Sequence, residues 1–94
     1  MTDLRFEWDV GKAAENHARH SVSFEVAKAV FFDPFALEWL DDRDDYGEER
    51  YAILGVADGR LLFVAYTLRG EVIRIISARG AEPYERRRYH EDNS

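Results

Sequence analysis

The sequence predicts an α+β fold, in which an antiparallel β-meander has its helices packed on one face. The meander is indicated by three consecutive apolar segments and by the short turns between them, Asp58-Gly59 and Arg69-Gly70. The two helices before the meander are indicated by apolar residues that recur at helical spacing. The predicted order is β-α-α-β-β-β-β-α, and 94 residues suffice for one domain, residues 1–94.

The first strand and the first helix are predicted from residues 6–19. Residues 6–8 alternate apolar and polar side chains, as a strand does. Asp9 then occupies an N-cap position before a helix over residues 10–19. We expect His17 to pack in or beside the core, since it belongs to the apolar stripe of this helix. The stripe consists of Val10, Ala13, Ala14 and His17.

A second helix is predicted over residues 24–32, where Ser23 is a suitable cap and Asp33-Pro34 ends the pattern. An edge strand is predicted over residues 35–40. Residues 41–49 hold six carboxylates in nine positions and predict a solvated loop, because like charges repel when packed together. Their spacing does not match a calcium-binding loop, so we expect no metal site there.

Three strands and a helix complete the predicted fold. The strands are predicted over residues 51–57, 60–68 and 71–78. A final helix is predicted over residues 84–90, and Pro83 stands near its first turn, where proline is favoured.

Charge is distributed unevenly along the chain. The net charge is −6, yet residues 60–90 carry 7 arginines and 3 acids, whereas residues 1–59 carry 6 basic and 14 acidic side chains. This asymmetry suggests one face for polyanions and another for a basic partner. The absence of cysteine excludes disulfides and thiolate zinc sites. A cytoplasmic protein without membrane attachment is expected, because no apolar run nears the roughly 18 residues of a membrane span and the start lacks a signal-peptide pattern.

Arginines at strand ends indicate chemistry on phosphate. Arg79 follows a strand on which Ser77 points the same way, and Arg50 begins the first of the three later strands. The guanidinium fork fits phosphate, so side chains alone can do this chemistry, and we expect no cofactor and no metal ion. Ser77 would hold a phosphate oxygen or orient Arg79. Its alternative role is a strand-end hydroxyl that satisfies backbone groups.

Several segments, taken in order, resemble one family, the BrnT toxins, from about residue 6 to residue 89. In the N-terminal half they are Phe6-Glu7-Trp8-Asp9, Lys12, Asn16, His20, Val22-Ser23-Phe24-Glu25 and Phe31-Phe32-Asp33. In the C-terminal half they are Glu49-Arg50-Tyr51, Gly55, Tyr66-Thr67, Arg69, residues 73–79 and Glu85-Arg86. No single motif is specific, but the ordered set is. Three positions depart from the usual pattern: Val10 replaces a proline, His17 an aliphatic residue, and Ser21 a glycine.

The resemblance implies a bacterial ribonuclease toxin of a type II toxin–antitoxin system with a RelE-like fold. It implies RNA cleavage, inhibition of translation, and a tight hetero-oligomer with a BrnA-type antitoxin. It further implies that operator DNA is contacted only through the antitoxin.

Metal-free RNA cleavage requires proton removal from the 2′-hydroxyl, charge stabilisation at phosphorus, and protonation of the leaving 5′-oxygen. Given the resemblance, His20 is the candidate for proton transfer, because histidine side chains titrate near neutral pH. Without the resemblance, a surface or capping histidine is the simpler interpretation. Lys12 is a candidate for phosphate neutralisation or proton transfer. Arg50 and Arg79 would hold the phosphate.

Thr67 and Arg69 near the second turn, and Arg86 on the last helix, are candidate RNA contacts. An exposed hairpin charge is the ordinary alternative at the turn. The last helix has a basic and aromatic surface, which either stacks on bases or is a solvated face. That surface comprises Arg86, Arg87, Arg88, Tyr84 and Tyr89.

Two other functions fit the sequence. One is a catalytically weak or inactive toxin-like binding module that acts in heterodimerisation and operon autoregulation. The other is a small-molecule binder that uses the sheet as a pocket floor. RNA degradation in the presence of a chelator would distinguish the nuclease from the inactive module.

Overall fold

The computed structural model describes residues 3–43, 45 and 47–94. The strands are β1 (Arg5–Glu7), β2 (Leu37–Asp41), β3 (Arg50–Ala57), β4 (Arg60–Arg69) and β5 (Val72–Gly80). The helices are α1 (Val10–His20), α2 (Phe24–Ala27), which continues into a 3₁₀ turn (Lys28–Phe32), and α3 (Pro83–Asp92). The predicted α+β class and the predicted order of elements are confirmed. Met1 and Thr2, and Asp44 and Tyr46 of the predicted acidic loop, lie outside the described residues.

The five strands form one mixed sheet in the order β1-β5-β4-β3-β2. From β2 to β5, each strand pairs antiparallel with the next, which is the predicted meander. β1 differs, since it pairs parallel with β5 and places Phe6 beside Ile73. Parallel neighbours need a long connection, and here both early helices and three strands lie between β1 and β5 in the chain.

Helices cover both faces of the sheet, so the prediction that they share one face was wrong. α2 and the 3₁₀ turn pack on the face that contains Ile53. α3 packs on the other face, where Tyr89 contacts a cluster that includes Leu54 and Phe63. The reason lies in β3, whose residues 52–55 are buried in succession. A strand buried on both sides reads as a continuous apolar run and requires cover on both faces.

α1 lies along β5, but it turns a different side inward from the one predicted. Asp9 caps the helix as expected, because its carboxylate accepts a hydrogen bond from a backbone N–H at 2.9 Å. Val10 is 80% exposed, and Ala14 and His17 are also exposed, so Ala13 is the only member of the predicted apolar stripe that packs against the core. The buried residue of α1 is Asn16, whose amide hydrogen-bonds to the backbone of Ala78. This buried amide, which must be satisfied, fixes the orientation of the helix.

α1 ends at a residue in the left-handed region. Ser21 has φ 56° and ψ 33°, and its N–H donates to the carbonyl of His17. Glycine adopts this conformation without steric cost, whereas a residue with a side chain pays roughly 1–2 kcal/mol. The turn that follows His20 therefore forms with serine, at some cost in stability.

Asp33 joins the end of the 3₁₀ turn to β3 and α3. Its carboxylate accepts hydrogen bonds from the N–H groups of Phe35 (2.9 Å) and Val56 (2.8 Å) and from the hydroxyl of Tyr89 (2.7 Å). Burial raises the pKa of Asp33, but these hydrogen bonds together lower it below its usual value. Gly55 permits the close approach, since a Cβ there would lie 3.2 Å from the Asp33 carboxylate.

The RelE-like relationship implied by the resemblance stays a prediction. Within the described residues, no helix combines the length and the apolar content needed to cross a membrane.

Candidate functional site

A β-bulge in β5 brings two arginines and a serine to one face of the sheet. Residues 66 and 65 of β4 pair with residues 75 and 77 of β5, so Ile76 is an extra residue. An extra residue reverses the alternation of side chains beyond it. Arg74 before the bulge and Ser77 and Arg79 after it consequently share the face on which α3 packs.

Arg50 lies on the same face, and we call the surface formed by Arg50, Arg74, Ser77 and Arg79 the arginine face. Ala52, Ala65 and Ser77 are paired across three strands and form a row of small side chains between Arg50 and Arg79. Arg79 lies two strands across the sheet from Arg50 and four residues away along the strand direction. Their Cα atoms are therefore separated by roughly 16 Å. The small side chains leave room on the sheet for a phosphate between these two long side chains.

Arg79 is held by a carboxylate and by an aromatic ring. Its Nη1 and Nη2 each donate to Glu85 at 2.9 Å, and its guanidinium lies 4.3 Å from the ring centroid of Phe63. Hydrogen bonding to Glu85 raises the pKa of Arg79. Burial raises the pKa of Glu85, but hydrogen bonds from Arg79 and from the Glu82 N–H lower it below its usual value. Arg79 is fixed in place while 25% of its side chain stays exposed.

Arg50 begins β3 among acidic residues. Its side chain is 26% exposed, and its Nε lies 3.7 Å from a Glu48 oxygen. Across the sheet it is in register with Asp41, which the sequence placed in the solvated loop. That prediction was wrong at Asp41, which is buried at the end of β2 because Arg43 donates to both carboxylate oxygens, at 2.8 and 2.9 Å. Hydrogen bonding from Arg43 lowers the pKa of Asp41.

Arg74 belongs to the arginine face, although it is not among the predicted site residues. Its Nη1 donates to Glu7 at 2.6 Å, and its side chain is 25% exposed. It is in register with Thr67 of β4 and Glu7 of β1. Simple alternation would put Arg74 on the face opposite Ser77 and Arg79. The repeated arginines in β5 were a sequence signal for a phosphate-binding surface. Only the bulge, however, places Arg74 on the same face as Ser77 and Arg79.

α1 and β5 border an open groove of about 660 Å³. Lys12 and His20 line it from α1, and Ser77 lines it from β5. The groove forms because β1 pairs with β5 only as far as Arg74, so α1 takes the place of a neighbouring strand beyond that point. Three predicted site residues therefore line one groove, with Lys12 in the first turn of α1 and His20 at its last residue. Ser77 belongs both to the groove and to the arginine face, and it joins Arg50 and Arg79 to the proton-transfer candidates.

The three predicted RNA contacts lie in different environments outside the groove. Thr67 is buried, and its hydroxyl donates to the carbonyl of Glu49 at 2.6 Å, next to Arg50 in the chain. Arg69 is exposed at the end of β4. Arg86 is exposed on α3 and lines a separate shallow depression. Among the described residues, no group of three histidine or acidic side chains could hold a metal ion.

Acidification is expected to destabilise the protein, because the pKa values of Asp33, Asp41 and Glu85 are all lowered in the folded state. Because these pKa values are lower in the folded state, the unfolded state binds more protons than the folded state as the pH falls, and this favours unfolding. The stability contributed by these groups is complete above the ordinary carboxyl pKa of about 4 and is lost as the pH falls through the folded values. We expect the midpoint of thermal unfolding to drop between roughly pH 5 and pH 3.

Circular dichroism across this pH range measures the midpoint. Asp33→Asn should unfold at a lower temperature at neutral pH and should show a shallower pH dependence than the unmodified protein. A midpoint that does not change down to about pH 3 would contradict the assignment.

The amino-acid sequence matches one known protein family. A family model described as ribonuclease toxin, BrnT, of type II toxin-antitoxin systems matches residues 8–85. The match contains Lys12, His20, Arg50, Ser77 and Arg79, and every strand except β1. No curated protein matches the chain. Because the family match spans most of the sequence, the chain belongs to the BrnT family of ribonuclease toxins of type II toxin–antitoxin systems.

Proposed function

We propose that this toxin is a metal-free endoribonuclease whose cleavage of RNA inhibits translation in the cytoplasm. The observation that carries the proposal is the groove between α1 and β5, which Lys12, His20 and Ser77 line at the border of the arginine face. Groups able to move protons and groups able to bind phosphate thus adjoin on one surface.

In the proposed reaction, a base removes the proton of a 2′-hydroxyl, and the 2′-oxygen attacks the adjacent phosphorus. The bond from phosphorus to the 5′-oxygen breaks as the new bond forms, and the leaving 5′-oxygen takes a proton from a general acid. The products are a 2′,3′-cyclic phosphate and a 5′-hydroxyl. His20 and Lys12 serve the two proton transfers.

Arg50 and Arg79 bind the phosphate and stabilise the charge that develops at phosphorus. Ser77 binds a phosphate oxygen between them. Arg74 joins this group, because the bulge places it on the same face. Thr67 acts as a positioning residue, since its hydroxyl holds the carbonyl of Glu49, the residue before Arg50. Arg69 and Arg86 serve as outer contacts to the RNA strand.

The type II family implies a protein antitoxin. We further propose that this antitoxin is of the BrnA type, that it covers the groove and the arginine face, and that the two proteins form a hetero-oligomer. Operator DNA is then contacted through the antitoxin alone.

The reaction products test the proposed chemistry. Purified toxin, separated from its antitoxin, is incubated with an RNA oligonucleotide and EDTA, and the fragments are identified by mass spectrometry. We expect fragments that end in a 2′,3′-cyclic phosphate and a 5′-hydroxyl. A single 2′-deoxy substitution should block cleavage at its own position and nowhere else. Fragments with 5′-phosphates, or activity that EDTA abolishes, would contradict the mechanism.

The ion pairs on the arginine face favour one second function. Arg74 is paired with Glu7, and Arg79 with Glu85, as expected of arginines whose role is structural. The chain would then be a catalytically weak or inactive toxin-like module in heterodimerisation and operon autoregulation. Intact RNA after prolonged incubation, with a toxin that still binds its antitoxin tightly, would support this function over the first.

A further inference from the structure

The arginines of α3 lie on two different sides of the helix. Arg88 faces the sheet, and its guanidinium lies 4.9 Å from the ring centroid of Trp39. Arg86 and Arg87 line the shallow depression on the outer side. The arginines of α3 therefore occupy two chemically distinct environments. Of these arginines, only Arg88 is next to aromatic side chains of the sheet.

Arg88 borders a small cavity of about 150 Å³ between α3 and the sheet. A cavity of this size admits a single flat ring system and excludes a double helix. Leu54 and Glu85 form part of its wall, and the rest consists of aromatic rings and guanidinium groups. These groups belong to Trp39, Phe63, Tyr84, Arg43 and Arg88.

The cavity shares two lining residues, Phe63 and Glu85, with the surroundings of Arg79. Phe63 packs against Trp39 at a centroid distance of 5.9 Å, and the guanidinium of Arg79 lies 4.3 Å from the centroid of the same ring. Glu85 also lines the cavity and holds Arg79 through both of its oxygens. A group bound in the cavity would therefore lie next to whatever Arg79 binds.

The polar character of the cavity selects the kind of ligand. The oxygens of Glu85 already accept hydrogen bonds from Arg79, from the Glu82 N–H and from the Tyr84 hydroxyl. Arg88 contributes donors and no acceptor, whereas the Arg43 guanidinium already donates to Asp41. Tyr84 is 54% exposed, so its ring can be covered by an incoming ring. A flat, acceptor-rich aromatic ligand fits this combination.

We propose that this cavity binds one unpaired nucleobase of the RNA, next to the phosphate held by Arg79. The base stacks on Tyr84 and against the guanidinium of Arg88, as bases do on aromatic and arginine side chains in single-strand recognition. The site rests on the proposed ribonuclease function, and it adds a base-binding subsite on α3 to the phosphate-binding residues of the sheet.

The test measures binding of an RNA oligonucleotide in which every 2′-hydroxyl is methylated, so that it cannot be cut by 2′-hydroxyl attack. Tyr84→Ala and Arg88→Ala should each weaken binding about 5- to 100-fold. Arg87→Ala is the matched control for charge, and it should weaken binding less than Arg88→Ala. Tyr84→Phe, which keeps the ring, should bind like the unmodified toxin. Both residues are exposed, so the variants should stay folded, and their thermal unfolding midpoints check this.

An abasic position in the oligonucleotide makes the test specific. If the subsite is correct, removing the base and removing Tyr84 should not weaken binding additively, since both delete one contact. Equal losses for Arg87→Ala and Arg88→Ala, or an unchanged Tyr84→Ala, would overturn the subsite while leaving the nuclease proposal intact. Weaker antitoxin binding with unchanged RNA binding would instead show a protein contact and would also overturn it. Failure of every oligonucleotide to bind, together with intact RNA in the product assay, would count against the ribonuclease function itself.

Discussion

His20→Ala is expected to lower the rate of RNA cleavage by about 10²- to 10⁴-fold, the usual contribution of a positioned general acid or base. His20 is half-buried at the end of α1, lines the groove, and reaches it from the helix that also carries Lys12. The measurement is single-turnover cleavage of an RNA oligonucleotide in EDTA. The affinity for a 2′-O-methylated oligonucleotide should change little, because the substitution removes a proton-transfer group and leaves the phosphate-binding arginines.

His17→Ala provides a matched control on the same helix. His17 is exposed and lines a different small cavity, beside Arg60 and Leu62. Its replacement should leave the cleavage rate unchanged. Equal losses in the two variants would point to a general loosening of α1 and would contradict a catalytic role for His20. Full activity of His20→Ala would exclude it as a proton-transfer group.

Most of the secondary structure could be predicted because its signals are local. Asp9 and Ser23 accept N-cap hydrogen bonds from backbone N–H groups three residues further along. Asp58 and Gly59 both have positive φ, 51° and 75°, as a two-residue hairpin turn demands. Such interactions depend on a few consecutive residues, so they can be predicted directly from the sequence.

The site was only partly predictable, because its geometry depends on the register between distant strands. Strict alternation correctly groups Ser77 with Arg79, which are both beyond the bulge. It wrongly separates them from Arg74, because an inserted residue reverses every side chain beyond it. Nothing local to Ile76 marks it as the extra residue. The pairing of β4 with β5 decides it.

The orientation of α1 was mispredicted for a similar reason. Hydrophobic periodicity predicts that apolar residues face inward, and it assigns Val10 and His17 to the core. The structure buries Asn16 instead. Its partner in β5 is Ala78, 62 residues away in the sequence. A polar residue is buried only where hydrogen-bond partners satisfy it. The sequence of a single helix does not show partners that are so far away in the chain.

Asn16→Leu is expected to lower the free energy of unfolding by about 3–5 kcal/mol, because it leaves several buried backbone groups without partners. The Asn16 amide donates to the carbonyls of Ala78 (2.8 Å) and Val22 (3.0 Å) and accepts from the Ala78 N–H (3.0 Å). β1 ends before this point, so the amide takes the place of a neighbouring strand. Leucine has a similar size but can make none of these bonds.

Urea unfolding of Asn16→Leu measures the loss, with Glu15→Leu as a control at the exposed neighbouring position. Asn16→Asp distinguishes hydrogen bonding from size, since it retains the acceptor but loses both donors, and it should be destabilised as well. Both Asn16 substitutions should also reduce cleavage. Lys12 and His20 reach the groove from α1, and Asn16 fixes that helix to β5. A loss below about 1 kcal/mol for Asn16→Leu would mean that apolar packing, and not this amide, positions the helix.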